Sequence, residues 1–390
     1  MLMTKYFYLL LSMCIVMSFT SCEDDDDITL LTSQDEVKAD YADLVLSNYE
    51  AARADAVTLD AAIAAFIADP TATTQQAAKD AWLAARESYG PTEAYRFANG
   101  PIDVIDGEEG PEGLLNSWPL DEAYIDYVDD DSDAGLINSP ALLPTITKDA
   151  LADLNGQGGE ENVSVGYHAI EFLLWGQDLT APSALEAGQR SFTDFVDGGT
   201  ADNQDRRRAY LKACSELLLD HLQILIDQWA VGGPYRTAFL AQDDATSLSD
   251  MMTAIATLSK SELAGERVFV AYDNRDQEDE HSCFSDNTHR DLRLNYDGIR
   301  DVYLARAIND VEGASIADLI LEADPVLAGE IFAHLEAAEL AVYETAIPFD
   351  YAISDDSTRP NVLAAVTALR ALGDKIVEGG DAIGIEVRIE

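Results

Sequence analysis

Basic residues are scarce in this chain of 390 residues. Lys and Arg together number 24 against 73 Asp and Glu, so the formal net charge is -49. This charge excludes proteins that bind nucleic acid or an anionic membrane surface through a basic patch. After residue 21 no apolar run reaches the about 18 residues that a membrane-spanning helix needs. The sequence therefore predicts membrane attachment only through its N-terminus.

Common catalytic signatures are also missing. The chain has no Walker loop, no GxGxxG turn, no GxSxG elbow and no CxxC pair. The HExxH motif of helical zinc peptidases is absent as well, because Ala169 follows His168 where that motif needs a glutamate to activate water. These absences exclude the most common nucleotide, acyl-transfer and zinc-peptidase sites.

The N-terminus has the pattern of a lipoprotein signal. Lys5 precedes an apolar core, Leu9–Phe19, and small residues lead to Cys22. We expect residues 1–21 to be a signal peptide and Cys22 to carry lipid, with an ordinary cleaved signal as the alternative. Residues 22–33 begin with an acidic run and should form an extended tether. The predicted location is the outer membrane, facing either the cell surface or the periplasm.

Only two cysteines remain in the predicted mature chain, because Cys14 leaves with the signal and Cys22 takes the lipid. An oxidising envelope would favour a disulfide between Cys214 and Cys283. Sequence alone gives no distance between them, so a disulfide and two free thiols remain open alternatives. A third alternative is that Cys283 is a metal ligand.

Helical periodicity dominates the rest of the chain, and strand signals are nearly absent. With 47% hydrophobic residues and a length beyond that of one core, we expect an all-α fold of two packed helical bundles, residues 34–190 and 191–390. Gly100–Gly113 should be a loop and Gly176–Asn203 a linker. The predicted helices are Ser33–Ala68, Thr74–Tyr89, Asp121–Val128, Pro140–Leu154, Val163–Trp175, Asp205–Trp229, Ser247–Tyr272, Leu292–Ala307, Ile316–Glu322, Pro325–Ile347 and Arg359–Val377.

His168 and Glu171 are the strongest candidates for a metal site. They are separated by three positions in a predicted helix, so both should project from one face. An imidazole nitrogen and a carboxylate oxygen suit iron, zinc or manganese. The alternative is a structural histidine hydrogen-bonded in the core, since a metal site needs more than two ligands.

Two further groups could contribute to a site. Glu93 and Arg96 can pair on one helical turn, and the following bend would aim Asp103 inward; a surface ion pair beside a turn is the alternative. Residues 275–289 are rich in acids and histidines, which predicts either metal ligands or a solvated acidic turn. The aromatic side chains of Tyr95, Phe97, Trp118 and Trp175 are predicted to lie in the core.

Four blocks of the sequence together resemble the imelysin family of bacterial envelope proteins. They are AYRFANGPID, NSWPLDE, GYHAIEFLLWG and GERVFVAYDNRDQEDEHSCFSDNTHRD, and the third contains the GxHxxE motif. The resemblance implies an all-helical protein of two bundle-like halves with a metal site near their junction, a role in iron uptake, and a peptidase label. It also implies that the last block folds over the GxHxxE helix, with Asp286 and His289 as further ligands or orienting groups.

We therefore expect a lipoprotein that binds iron at His168 and Glu171, with zinc or manganese as possible substitutes. Its expected partners are iron or an iron-carrying ligand and other components of an envelope iron-uptake system. One alternative is a metallopeptidase that uses Glu93 or Asp103 as its base. The other is a lipoprotein that binds a ligand or a partner without metal.

Overall fold

The GxHxxE segment lies inside a protein that is built almost entirely of helices. The computed structural model describes residues 31–306 and 313–389, and the predictions for the signal peptide, for Cys22 and for most of the tether lie outside them. The α-helices are α1 Gln34–Ala68, α2 Ala72–Tyr89, α3 Glu112–Leu115, α4 Glu122–Ile125, α5 Gly135–Asn138, α6 Lys148–Leu154, α7 Gly166–Trp175, α8 Gln204–Trp229, α9 Pro234–Ala241, α10 Asp244–Thr257, α11 Val270–Asn274, α12 Thr288–Leu304, α13 Ile316–Ala323, α14 Pro325–Tyr343, α15 Phe349–Ser354 and α16 Arg359–Ala382. The predicted all-α fold is confirmed.

Shorter elements connect these helices. Four 3-10 turns cover Gly90–Tyr95, Pro182–Ala184, Phe192–Phe195 and Gln277–Asp279. Within the predicted loop, β1 Val104–Ile105 pairs antiparallel with β2 Glu108–Glu109, the one sheet in the described part of the chain. Across residues 31–306 and 313–389, no helix combines the length and the apolar character needed to cross a membrane.

The helices pack as two groups within one compact unit that begins at Thr32. In the first group α1 packs on α2 and α8, and α7 lies between α2 and α8. In the second group α16 packs on α14, on α10 and on the helical segment that follows α10, while α12 reaches back to the Gly90–Tyr95 turn. The division into domains at residue 190 remains a prediction. The packing places α8, which follows that boundary, in the first group.

A π-helix, Leu258–Phe269, joins α10 to α11 and makes one continuous helix of the three. In a π-helix each turn is wider, so residues five apart lie on the same side. Glu262 and Arg267 are placed in this way, and the Arg267 guanidinium donates to Oε1 of Glu262 at 3.0 and 3.2 Å. Such π segments are frequent at functional sites.

Some predicted helices are wrong in extent. Residues 140–147 are not helical, since Pro144 lacks an amide hydrogen and disfavours a helix before it. The helix begins only after Thr147, whose side chain accepts from the Ala150 amide. The predicted Asp121–Val128 helix shrinks to the single turn of α4. Cys214 and Cys283 are both buried free thiols, so the disulfide alternative fails.

Candidate metal centre

The helix α7 is buried along its whole length, which is why its polar side chains lie in the core. It begins at Gly166, where φ is +90° and an added Cβ would lie 2.7 Å from the carbonyl oxygen of Leu115. Only glycine fits this backbone conformation and this close approach. The first position of the GxHxxE motif therefore lets α7 start against the α3 segment, and His168 and Glu171 follow it into the interior.

His168 and Glu171 do share one face, as the spacing predicts, and they bind each other. Nδ1 of His168 lies 2.8 Å from Oε2 of Glu171. The other carboxylate oxygen, Oε1, accepts from the amide and the hydroxyl of Ser285 at 2.9 and 2.7 Å. Nε2 of His168 is buried and has no hydrogen-bond partner among the described residues. Glu171 thus fixes the ring, and Nε2 is the atom left for a ligand.

A second histidine is held in the same manner. Nδ1 of His281 lies 3.2 Å from Oδ2 of Asp291, which also accepts from the Ser282 hydroxyl at 2.5 Å. The rings of His168 and His281 are in contact, with centroids 4.6 Å apart and planes at 79°. Two imidazoles, each with Nδ1 at a carboxylate, therefore meet in the interior.

Trp118 packs against both histidines rather than in the core. Its ring centroid lies 5.0 Å from that of His168 and 6.3 Å from that of His281. The prediction of a core residue is wrong for Trp118, because the segment between α3 and α4 is irregular and leaves the ring half-buried beside a cavity. Tyr95 and Trp175 are buried as predicted, whereas Phe97 is half-buried at a different cavity.

Arginines surround this pair of histidines. Glu93 accepts from Arg267 at 2.6 Å and from Arg96 at 3.0 Å on Oε2, so the predicted pairing of Glu93 with Arg96 is confirmed. Its other oxygen accepts from Asn116 at 3.1 Å, and Asn116 in turn accepts from Arg86 at 2.5 Å. Arg86 also donates to Oδ1 of Asp291 at 2.9 Å. One hydrogen-bonded network thus connects Glu93 with the carboxylate that holds His281.

The electrostatics keep both imidazoles neutral. Burial, together with His281 and Arg86, lowers the pKa of His168 well below its ordinary value. Burial and Arg267 lower the pKa of His281 to about 4, although Asp291 opposes the change. Burial raises the pKa of Glu171 to about 8, against the hydrogen bonds from Ser285. Neutral imidazole is the form that coordinates a metal ion.

A cavity of about 450 Å³ opens beside the histidines. His281, Trp118, Asn116, Arg96 and Arg267 contribute to its walls. Four carboxylates, those of Glu112, Glu262, Glu266 and Asp279, also line it. Arg96 and Arg267 both pair with Glu93 and Glu262, so the charge of the lining is mixed.

The other predicted site residues lie elsewhere. Asp103 lines a separate cavity of about 970 Å³, where burial raises its pKa to about 6 although Arg96 opposes the change. Asp286 groups with two other aspartates, and Nδ1 of His289 lies 3.0 Å from the carbonyl oxygen of Asp286. In the described chain no third His, Cys, Asp or Glu converges with His168 and Glu171 within 4.8 Å.

Sequence reasoning overlooked His281, Asp291, Arg86 and Ser285. Three of them lie in the family block that ends at Asp291, so the block was identified but its orienting residues were not. The spacing in that block offers no helical periodicity between Arg275 and Thr288, where α12 begins. Which histidine faces α7 is decided by how the irregular segment folds over it.

Comparisons with known proteins agree with this architecture. The imelysin family, a peptidase family, matches residues 45–376. Iron-regulated protein A of Synechococcus elongatus is 25% identical over 368 residues, which cover 92% of this chain and 88% of that protein.

Two solved structures share the fold. A crystal structure from Parabacteroides distasonis, described as an iron-regulated protein A precursor, has a TM-score of 0.68 at 19% identity and covers 90% of this chain and 96% of its own. An imelysin-like protein from Psychrobacter arcticum has a TM-score of 0.63 at 14% identity, with 92% and 99% covered. Because the family match spans most of the residues that build the two helix groups and includes the GxHxxE helix, the chain belongs to the imelysin family.

Proposed function

We propose that this protein binds an iron ion at its paired histidines, with His168 and His281 as nitrogen donors. The observation that supports this most strongly is the buried Nε2 of His168, which has no partner among the described residues. A buried polar atom without a partner is costly unless a ligand satisfies it. Imidazole is a suitable ligand for iron, and also for zinc or manganese.

Glu171 and Asp291 would act on the metal through the rings that they hold. Metal-bound histidines usually donate their second N–H to a carboxylate, which fixes the tautomer and the orientation of the ring. Both histidines here have Nδ1 at a carboxylate oxygen. The raised pKa of Glu171 favours its protonated form in the metal-free protein, whereas a metal at Nε2 requires Nδ1 of His168 to carry the proton and Glu171 to be ionised. Binding of the metal would therefore release a proton from this pair.

The remaining ligands would come from the cavity. Since neither His168 nor His281 belongs to a group of three or more His, Cys, Asp or Glu ligands in the described chain, water or the oxygens of a chelating molecule would complete the coordination. The name of the Synechococcus relative supports a connection with iron.

The surroundings of Glu93 and Asp103, the two carboxylates predicted as bases, favour binding over hydrolysis. Arg267 and Arg96 outweigh burial and hold the pKa of Glu93 well below its usual range, and both of its oxygens are occupied by hydrogen bonds. Asp103 lies at the other cavity. We propose that the protein receives iron or an iron-carrying ligand in the cell envelope and passes it to other components of an uptake system.

The test is calorimetric titration of the metal-free protein with Fe²⁺ under anaerobic conditions, and with Zn²⁺ and Mn²⁺. His168→Ala and His281→Ala should each weaken binding by at least about tenfold and leave helicity unchanged. His289→Ala is the matched control and should bind as the wild type does. Unchanged affinity in both of the first two variants would refute the site, and a loss in His289→Ala would restore the ligand set implied by the family resemblance.

We further propose that Cys22 carries the lipid that holds the protein at the outer membrane. Lipid would supply the favourable interaction with a membrane that a strongly anionic protein otherwise lacks. Cys22→Ser should move the protein from the membrane fraction to the soluble envelope fraction. A variant that still floats with membranes would show that the attachment has another cause.

A further inference from the structure

A second group of potential metal ligands lies outside the histidine centre. Asp178 follows α7, Asp286 precedes α12 and Asp350 belongs to α15, so three separate segments contribute to it. One carboxylate oxygen from each lies within 4.8 Å of the other two. Asp178 and Asp350 are each only 3% exposed. Like charges this close, two of them almost fully buried and the third half-buried, repel unless protons or a cation compensate them.

Glu280 adds an independent observation. It is 1% exposed, and neither of its carboxylate oxygens has a hydrogen-bond partner of normal geometry among the described residues. Burial is the main cause that raises the pKa of Glu280 well above its usual value. Asp350 and, more weakly, Asp286 and Asp178 raise this pKa further, whereas Thr288 lowers it. All three aspartates contribute to this rise, so the unpaired Glu280 carboxylate is a neighbour of the group, although it is not among the oxygens that lie within 4.8 Å of one another.

No cation of the protein neutralises this group. None of the four carboxylates takes part in an ion pair within residues 31–306 and 313–389, although the chain forms such pairs at many other places. The hydrogen bonds that orient Asp178 and Asp350 all go to Oδ1, from Thr180 at 3.0 and 2.9 Å and from the Tyr351 amide at 2.5 Å. In both aspartates Oδ2 therefore has no competing donor from the described chain.

The donor set identifies the kind of ion. Every donor is a carboxylate oxygen, and a set of donors without imidazole or thiolate suits hard cations such as Ca²⁺, Mg²⁺ and Mn²⁺. Oxygens bound to one Ca²⁺ at about 2.4 Å lie at most about 4.8 Å apart, a limit that the three aspartates meet. Mg²⁺ demands a tighter octahedron and keeps its waters, so a buried cluster of several carboxylates suits it less. We propose that Asp178, Asp286 and Asp350 form a Ca²⁺ site, beside which the unpaired, buried Glu280 carboxylate lies.

The position of this site gives it a structural role. The ion would join the segment after α7 to α15 and to the stretch between Glu280 and Asp286. That stretch also contains His281 and Ser285, the residues that contact His168 and Glu171. Ca²⁺ would therefore hold in place the segment that covers the histidine centre, without being a ligand of that centre.

The experiment uses the mature chain after removal of metals by chelator and dialysis. Calorimetric titration with CaCl₂ should show a single site with Kd on the order of 10⁻⁴ M, and MgCl₂ should bind at least about tenfold more weakly. Millimolar CaCl₂ should raise the melting temperature by mass action. Asp286→Asn and Asp350→Asn should each weaken Ca²⁺ binding by at least about tenfold and abolish the rise.

Two controls make the result specific. Asp129→Asn combined with Asp130→Asn removes charge at two exposed positions and should keep the full Ca²⁺ response. His168→Ala should also keep it, because the proposed site does not include the histidines. In the presence of chelator, Asp350→Asn should melt no lower than the wild type, since it relieves the repulsion between the carboxylates. Asp286→Asn should also fold, because Asp286 is only half-buried.

The possible results are distinguishable. Absence of Ca²⁺ binding by the folded wild type would overturn the proposal, as would an equal response in the wild type, Asp286→Asn and Asp350→Asn. Stronger binding of Mg²⁺ than of Ca²⁺ would overturn the choice of ion. Loss of the response only in the two cluster variants supports the site.

Discussion

Asp126 and Glu171 are both carboxylates with 0% exposure, yet their surroundings differ. Asp126 accepts from Arg207 at 2.6 and 2.7 Å, from Arg190 at 2.5 Å and from Asn138 at 3.2 Å. The third nitrogen of Arg207 donates to two backbone carbonyls, so that guanidinium is fully bonded. Glu171 has no arginine partner among the described residues; it is bound to Ser285 and to His168.

This difference separates a structural cluster from a ligand site. Arg190 and Arg207 outweigh burial and lower the pKa of Asp126, whereas burial raises that of Glu171. The Asp126 cluster completes its hydrogen bonds within the chain, apart from Nε of Arg190 among the described residues. The Glu171 cluster leaves Nε2 of His168, the better metal ligand, without a partner. A buried group that is fully paired stabilises the fold, and one that is incompletely paired can take up a ligand.

The largest effect is expected when the Asp126 cluster is broken. Asp126→Ala leaves Arg190 and Arg207 buried without their counter-charge, and should lower the free energy of unfolding by about 3–5 kcal/mol. Urea denaturation followed by circular dichroism measures the change. The control is Asp197→Ala, which removes an ion pair with Arg208 at 2.7 Å where Asp197 is 83% exposed, and should cost less than about 1 kcal/mol. Equal losses in the two variants would contradict the distinction between the clusters.

The next largest effect is expected in the Glu171 cluster. Glu171→Gln keeps the shape of the side chain and can still accept from Ser285, but it replaces the charged acceptor that holds Nδ1 of His168. Fe²⁺ affinity should fall by about tenfold to a hundredfold, as for other carboxylates that orient a metal-bound histidine, while helicity is retained. Anaerobic calorimetric titration checks this. If affinity is unchanged, Glu171 does not orient the ligand and the two clusters do not differ in function.

A third prediction uses pH to compare the two carboxylates in the metal-free protein. Burial raises the pKa of Glu171 from 4.5 to about 8, so the folded state binds this proton more tightly than the unfolded state does. The contribution of Glu171 to the free energy of unfolding must then fall as pH rises from about 5 to 8. Glu171→Gln lacks this term, so its stability relative to the wild type should increase over that range.

Asp126 should behave in the opposite way. Its folded-state pKa is lowered, so its contribution is present above the ordinary pKa of aspartate and is lost as pH falls through the folded value. Urea denaturation curves at a series of pH values in the presence of chelator measure both trends. A constant difference between Glu171→Gln and the wild type would show that the Glu171 pKa is not raised.

The sequence predicts the fold well because most helices carry their own signals. The periodicity and the spacing of His168 and Glu171 place them on one face, and their contact follows from helix geometry alone. The failure over residues 140–147 has a local cause, since apolar residues there suggested a helix that Pro144 does not permit.

The site is less predictable because it depends on contacts between distant segments. Asp291 and Arg86 pair across 205 positions, and Ser285 reaches Glu171 across 114. The family block contains eight acidic residues and two histidines. Only the folded path of the loop shows that His281 faces α7 while Asp286 turns towards Asp178 and Asp350. Composition could not have separated these two groups of ligands.

The smallest effect is expected in an assay for peptidase activity. The purified protein should not cleave unfolded protein substrates when iron, zinc or manganese is added. Metal-assisted hydrolysis needs a base within reach of the metal-bound water. Of the two bases predicted from the sequence, Glu93 is held by two arginines and Asn116, and Asp103 lies at the other cavity, so neither is free to act at the histidines. Degradation assays with and without chelator measure this. Cleavage that disappears both on chelation and in Glu171→Ala would show that the Glu171 cluster is catalytic. Glu266→Gln would then test whether Glu266, an exposed carboxylate at the cavity beside the histidines, is the base.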